Sequence, residues 1–138
     1  MKEIMDDSGV YVLTVKLDRG GEIEVGARGR AFFPAGYYYY CGSAQKNLRA
    51  RVRRHLRQDK KFHWHIDYLL GKAQVVDFHT WSVGKKGECS LATYFREQPG
   101  AAIVMSGFGS CDCRCETHLI YFEERLADDD FPGIEIFG

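Results

Sequence analysis

Arg51 and His55 are four residues apart, about one helical turn, so on a helix they share a face. Arginine offers a planar, permanently charged donor fork suited to phosphate oxygens, and histidine exchanges a proton near neutral pH. Two short clusters place a phenol beside a glycine: Gly9-Val10-Tyr11 and Tyr40-Cys41-Gly42. Glu88 opens a segment of helical pattern on the side of Ala92 and Phe95, an inward-facing position, and its hard oxygens suit Mg²⁺; Glu97 is the fallback. Each residue also has a plainer explanation. Tyrosines are ordinary strand residues, and Tyr37 to Tyr40 can simply alternate between two sheet faces. A basic helix is usually a solvated face, and a carboxylate in a first helical turn is favoured by the helix dipole without any metal.

The formal net charge is zero, yet the charges are segregated. Between positions 46 and 61 stand Lys46, Arg49, Arg51, Arg53, Arg54, Arg57, Lys60 and Lys61 against one acid, Asp59, whereas Glu123, Glu124, Asp128, Asp129, Asp130 and Glu135 crowd the C-terminal part. One part of the surface is therefore expected to be strongly positive. Lys46, Arg49, Arg53 and Arg57 are the candidates for contacting a polyanion.

Metal-type side chains occur in two further places. His63 and His65 alternate with Asp67 and would line one edge of an extended segment, while in a helix His63 and Asp67 would pair; packing and hydrogen bonding explain them better than a ligand role. Cys111, Cys113, Cys115 and His118 are dense in zinc ligands, although Cys-x-Cys departs from the usual gap of structural zinc sites. Reduced thiols in a tight loop are the default there, with Cys113, Cys115 and His118 kept as a candidate structural zinc set. Cys41 and Cys89 read as small buried apolar residues. Five cysteines is an odd number, and the opening residues show no apolar signal core, so a disulfide framework is not expected. No stretch of about 18 uninterrupted apolar residues occurs, so the expectation is a cytoplasmic chain with no membrane partner.

These side chains need elements to hold them. Val10 to Leu17 reads as a strand closed by the turn signal Asp18-Arg19-Gly20-Gly21; Glu22 to Val25, Ala31 to Phe33 and Tyr37 to Cys41 give further strands in antiparallel hairpins. Leu48, Val52 and Leu56 predict a helix over 45–58, and Ile66 to Leu70 a short helix ended by Gly71. Ala73 to Val83 reads as a strand, and Glu88 to Gln98 as a helix closed by Pro99-Gly100. Two late strands are expected near Ala101 to Met105 and Thr117 to Phe122, separated by a loop over 107–115. With 138 residues and 45% apolar content, one domain is expected, an α+β fold with a mostly antiparallel sheet and flanking helices.

At this point the sequence resembles the GIY-YIG nuclease superfamily, which includes the UvrC repair nuclease, homing endonucleases and some restriction enzymes. Gly9-Val10-Tyr11 stands where the first motif has Gly-Ile-Tyr, and Tyr40-Cys41-Gly42 where the second has Tyr-Ile-Gly. Ser43 to Arg51 resembles the small residues, Asn-Leu and arginine that come next, His55 falls where many members carry His or Tyr, and Glu88 looks like the metal-binding glutamate. The chain is similar, more narrowly, to an uncharacterised archaeal and bacterial branch, through Gly42-Ser43-Ala44, His63 to Leu69, Glu88-Cys89, Cys113-Arg114-Cys115 and His118-Leu119.

The resemblance implies a DNA endonuclease using a single Mg²⁺ or Mn²⁺, active in DNA repair or processing. In it Tyr11 orients or deprotonates the attacking water, Tyr40 positions the phosphate, Arg51 and His55 complete the catalytic set, and Glu88 holds the ion. A phenol with a pKa near 10 would need nearby positive charge to act as a base. The rival expectation is a catalytically silent nucleic-acid-binding module, and a weaker third is a zinc-dependent hydrolase built on the histidines and late cysteines. The two tyrosine motifs are farther apart than is usual in the family, which implies an inserted hairpin over about 20–36 that covers or reshapes the groove. Specificity would then rest on a repair-protein partner, a homodimer or substrate shape.

Overall fold

The computed structural model describes residues 7–57, 61–62, 64–110 and 115–137. Four strands form an antiparallel sheet in the order β5-β1-β4-β6: β1 is Gly9–Leu17, β4 Gly36–Ala44, β5 Gln74–Trp81 and β6 Leu119–Phe122. β2 (Gly21–Glu24) and β3 (Arg30–Phe33) form a separate ribbon between β1 and β4. The helices are α1 (Leu48–Leu56), α2 (His65–Leu70) and α3 (Gly87–Arg96). The fold is α+β, as its element order predicted.

Alternation along the two central strands fills a core on each side of the sheet. From β1, Tyr11, Leu13, Val15 and Leu17 join Tyr38, Tyr40 and Ala44 of β4 on one face, where α1, α2 and the ribbon cover them. Val10, Val12, Tyr39 and Cys41 face the other way, under Leu91, Ala92 and Phe95 of α3 and the C-terminal Phe131, Ile136 and Phe137. The tyrosine run thus does alternate between faces. Tyr39 also accepts a hydrogen bond from the Leu126 N–H at 2.8 Å, so its buried phenol oxygen has a partner.

α1 begins at Leu48, later than position 45, because Asn47 takes a left-handed conformation (φ 59°) that the helix cannot incorporate. Leu48 and Val52 are buried, and burial of each such side chain contributes roughly 1.5–3 kcal/mol. α1 is also tied to α2: Arg54 grips Asp67 with Nη1–Oδ1 at 3.0 Å and Nη2–Oδ2 at 3.1 Å, a bidentate pair. The expected strand near Ala101 to Met105 does not form. Only Ala102 pairs, exchanging two 2.9 Å bonds with Tyr121, since β6 is four residues long and offers little edge.

The ribbon does not cover the groove beside the central strands. Gly26 at its turn lies against Tyr68 of α2, and Arg28 Nη2 donates to Ser106 O at 2.7 Å, which holds the ribbon on the α2 side. The acidic C-terminal segment lies on the sheet face opposite α1: Trp81 Nε1 donates to Pro132 O and the Tyr94 hydroxyl to Asp130 O. Basic and acidic surfaces are therefore separated by the thickness of the sheet. Among the described residues no helix is long and apolar enough to cross a membrane.

Candidate functional site

Antiparallel pairing sets Tyr11 opposite Gly42 and Leu13 opposite Tyr40. A Cβ at position 42 would come within 2.5 Å of the Tyr11 Cζ and hydroxyl, so the glycine of the second cluster exists to seat the ring of the first. Gly9 has a similar reason. Its φ of 145° lies in glycine territory and a Cβ there would collide with the Trp81 carbonyl of β5. Both clusters thus lie at one end of the two central strands, where Gly42 leaves room for the Tyr11 ring and Gly9 for the backbone of β5.

The Tyr11 hydroxyl lies 2.9 Å from His55 Nε2, and its ring is tilted against that of Tyr40 with centroids 6.5 Å apart. Arg51, one turn earlier on α1, reaches β4: Nη1 donates to Ser43 O at 2.9 Å. Its guanidinium carbon also sits 4.9 Å from the Trp64 ring centroid, a cation–π contact that holds the fork in place. From α3, Glu88 completes the group. Its Oε2 accepts from the Ser43 hydroxyl, and its Oε1 lies 2.9 Å from His118 Nδ1.

A cavity of about 700 Å³ opens among these residues, lined by Tyr40, Ser43, Arg51 and Glu88 together with Trp64, Lys85, Lys86 and His118. Tyr11 and His55, at 2% and 1% exposure, lie behind this lining. Burial drives the Tyr11 pKa upward and outweighs the opposing charge of Arg51, so the phenol keeps its proton. The nearby positive charge a phenolate base would need is present but insufficient. Tyr40 is also pushed well up, by burial and then by Tyr11 and Glu88. Glu88 behaves oppositely. Burial disfavours its charge, yet the contacts with His118 and Ser43, with Lys85 beyond, hold its pKa below the ordinary carboxylate value.

A carboxylate has about four lone-pair positions, and two partners leave Glu88 able to give a hard oxygen to a divalent cation from the cavity side. The donor set therefore fits a Mg²⁺ or Mn²⁺ ion held through one carboxylate with most of its shell open. Glu97 lies at the far end of α3, outside this cavity. Lys46, Arg49, Arg53 and Arg57 are exposed on or beside α1.

The remaining metal-type residues are distributed differently from expectation. Asp67 is committed to Arg54 and to the Trp64 N–H, while His65 Nδ1 accepts from the Gly109 N–H at 2.9 Å. Burial and then the Arg28 charge lower the His65 pKa, in keeping with a neutral acceptor. His63, Cys111 and Cys113 lie outside the described residues. Cys41 is buried as expected, but Cys89 is only partly buried on the cavity wall, because its helical position turns it beside Glu88 towards the groove. Lys85 and Lys86 carry no motif of their own in the sequence, and Trp64 stands out there only within the stretch His63 to Leu69. The basic doublet directly before Glu88 was the available signal for the first two.

The chain belongs to the family described as Domain of unknown function DUF123, whose model matches residues 10–131. No curated protein and no solved structure matches the chain.

Proposed function

We propose that this member of the DUF123 family is a metal-dependent nuclease of the GIY-YIG type that hydrolyses phosphodiester bonds in DNA, in repair or processing. The observation that carries the reading is the meeting of Tyr40, Ser43, Arg51 and Glu88, from β4, α1 and α3, on one positively flanked cavity. Hydrolysis of a phosphodiester adds a water oxygen to phosphorus and expels a sugar oxygen, and the site must neutralise charge on the nonbridging oxygens. Arg51, clamped by Ser43 O and Trp64, points a preorganised fork at that charge, and Lys85 and Lys86 add to the positive field. Glu88, kept ionised, is the ligand for Mg²⁺ or Mn²⁺. Such an ion supplies Lewis-acid stabilisation and lowers the pKa of bound water.

Tyr40 is a protonated hydrogen-bond donor at the cavity wall, suited to positioning the phosphate. Tyr11 serves as a relay rather than a free base: a proton delivered to its oxygen is matched by release of its own to His55 Nε2, so no phenolate accumulates. The exposed Lys46, Arg49, Arg53 and Arg57 bind the flanking backbone, with a repair protein or a second copy supplying selectivity. A cytoplasmic setting accompanies this reading.

One observation favours a second reading, a silent nucleic-acid-binding module: Tyr11 and His55 are both buried behind the cavity lining. Incubation with branched, nicked and single-stranded DNA in Mg²⁺ or Mn²⁺ separates the two. Cleavage by wild type and its loss in Arg51→Ala is expected. Cleavage equal in both proteins would mark a contaminant, and salt-sensitive binding without cutting would favour the silent module.

A further inference from the structure

Cys89 on α3, Cys115 in the segment before β6 and His118 bring their ligand atoms to within 4.8 Å of one another, with Cys89 Sγ 3.9 Å from His118 Nε2. A tetrahedral ion bound by sulfur at about 2.3 Å and nitrogen at about 2.0–2.1 Å holds its ligands about 3.6–3.8 Å apart. The three atoms need to close by tenths of an ångström to about one ångström. A single thiol donating to an imidazole would need no metal. A second thiol converging on the same spot adds a soft ligand atom and completes a three-atom set of the size a zinc-class ion takes.

The other nitrogen of His118 supplies an independent observation. Nδ1 lies 2.9 Å from Glu88 Oε1. A carboxylate this close to one ring nitrogen favours the proton on that side by its charge and leaves the other nitrogen's lone pair for ligation, the side on which metal-binding histidines commonly carry a carboxylate. His118 is itself 2% exposed, and its backbone is tied down by the 2.8 Å bond from its N–H to Phe108 O. The imidazole is thus aimed at the thiols before any ligand arrives.

We infer that Cys89 Sγ, Cys115 Sγ and His118 Nε2 form a site for a borderline-soft divalent cation of the zinc class, with Glu88 orienting His118 from Nδ1. Binding displaces the two thiol protons, and the ion takes its fourth ligand from solvent or substrate on the cavity side. Two thiolates and an imidazole select zinc or cobalt over Mg²⁺, which seeks oxygen. The site is therefore chemically separate from the Mg²⁺ position proposed on the free side of Glu88, and it does not rest on the nuclease reading. It ties α3 to the segment entering β6 and stiffens the cavity wall on which Glu88 stands.

The full chain, purified under reducing conditions, is loaded with Zn²⁺ or Co²⁺, passed over a chelating resin and analysed for metal in the absence of nucleic acid and Mg²⁺. About one zinc per chain is expected, and the cobalt form should show thiolate-to-cobalt charge-transfer absorption with the intense visible bands of tetrahedral coordination. Cys89→Ser and Cys115→Ser should each lose stoichiometric metal, and Glu88→Gln should weaken zinc binding by roughly 10–100-fold. Should a serine variant fail to fold by circular dichroism, the wild-type cobalt spectrum decides alone. Wild type with reduced thiols and no retained metal overturns the proposal. So does equal metal in the serine variants, or loss of two hydrogens by mass with no metal, which would mean a disulfide. Because cleavage is not the readout, failure here leaves the nuclease reading standing, and failure of DNA cleavage leaves this site standing.

Discussion

The hydroxyl of Tyr11 rests 2.9 Å from Nε2 of His55, linking the start of β1 to the last turn of α1 with both side chains almost wholly out of water. Because that bond is buried, Tyr11→Phe should destabilise the protein by about 1–3 kcal/mol, read by urea denaturation. If the pair relays a proton, the same variant should still bind DNA but lose cleavage. Undiminished cleavage by Tyr11→Phe would remove Tyr11 from the mechanism.

Gly42 should tolerate no side chain. Gly42→Ala drives a methyl into the Tyr11 ring and should cost about 1–3 kcal/mol through overpacking, measured as a lower denaturation midpoint. Pairing it with Tyr11→Ala should recover part of the loss contributed by the clash, so the double variant falls short of the sum of the two single effects.

Asp67 is fully buried while the side chain of Arg54 is 21% exposed, so the pair is shielded on one side only. Asp67→Ala should destabilise by about 3 kcal/mol, the low end for breaking a buried pair, because Arg54 can turn towards water. Calorimetry would check it. An unchanged melting temperature would mean that α1 and α2 are joined by packing alone.

Much of this arrangement was legible in the sequence. The stripe Leu48/Val52 announced α1, the one-turn spacing of Arg51 and His55 put them on one side of it, and the alternation of Tyr37 to Tyr40 put Tyr39 and Tyr40 on opposite sheet faces. What stayed hidden depended on contacts between distant segments. Nothing local in His118 or Cys89 says that α3 and the start of β6 meet, and the Asp67–Arg54 pair joins two helices whose separate patterns are ordinary. The late strand at 101–105 failed for the same reason: its residue types suit a strand, but β6 gives it one partner residue.

The depressed pKa of Glu88 sets the sign of a pH effect. Its contribution to stability is complete above the ordinary unfolded carboxylate pKa and is lost as pH falls through the lower folded value. Wild type should therefore lose stability on acidification through that window, and Glu88→Gln should show a shallower slope there. Superimposable curves from pH-dependent unfolding would mean that the His118 and Ser43 contacts do not favour the charged form.

The exposed basic residues of α1 should act on affinity rather than on the chemical step. Neutralising Arg49 and Arg53 together should lower the salt slope of DNA binding by about 2, roughly one per phosphate contact, with little dependence on sequence. Fluorescence anisotropy across a salt series measures this. An unchanged slope would place the DNA track elsewhere on the surface.

The most direct measurement is anomalous diffraction from crystals soaked in Mn²⁺, because the nuclease reading requires one cavity to hold both a hard cation and a scissile phosphate. Manganese density at the Glu88 carboxylate, facing Arg51 and Tyr40, is the expected result. Manganese absent from Glu88 at concentrations that saturate the crystal, or bound only away from that cavity, would contradict it.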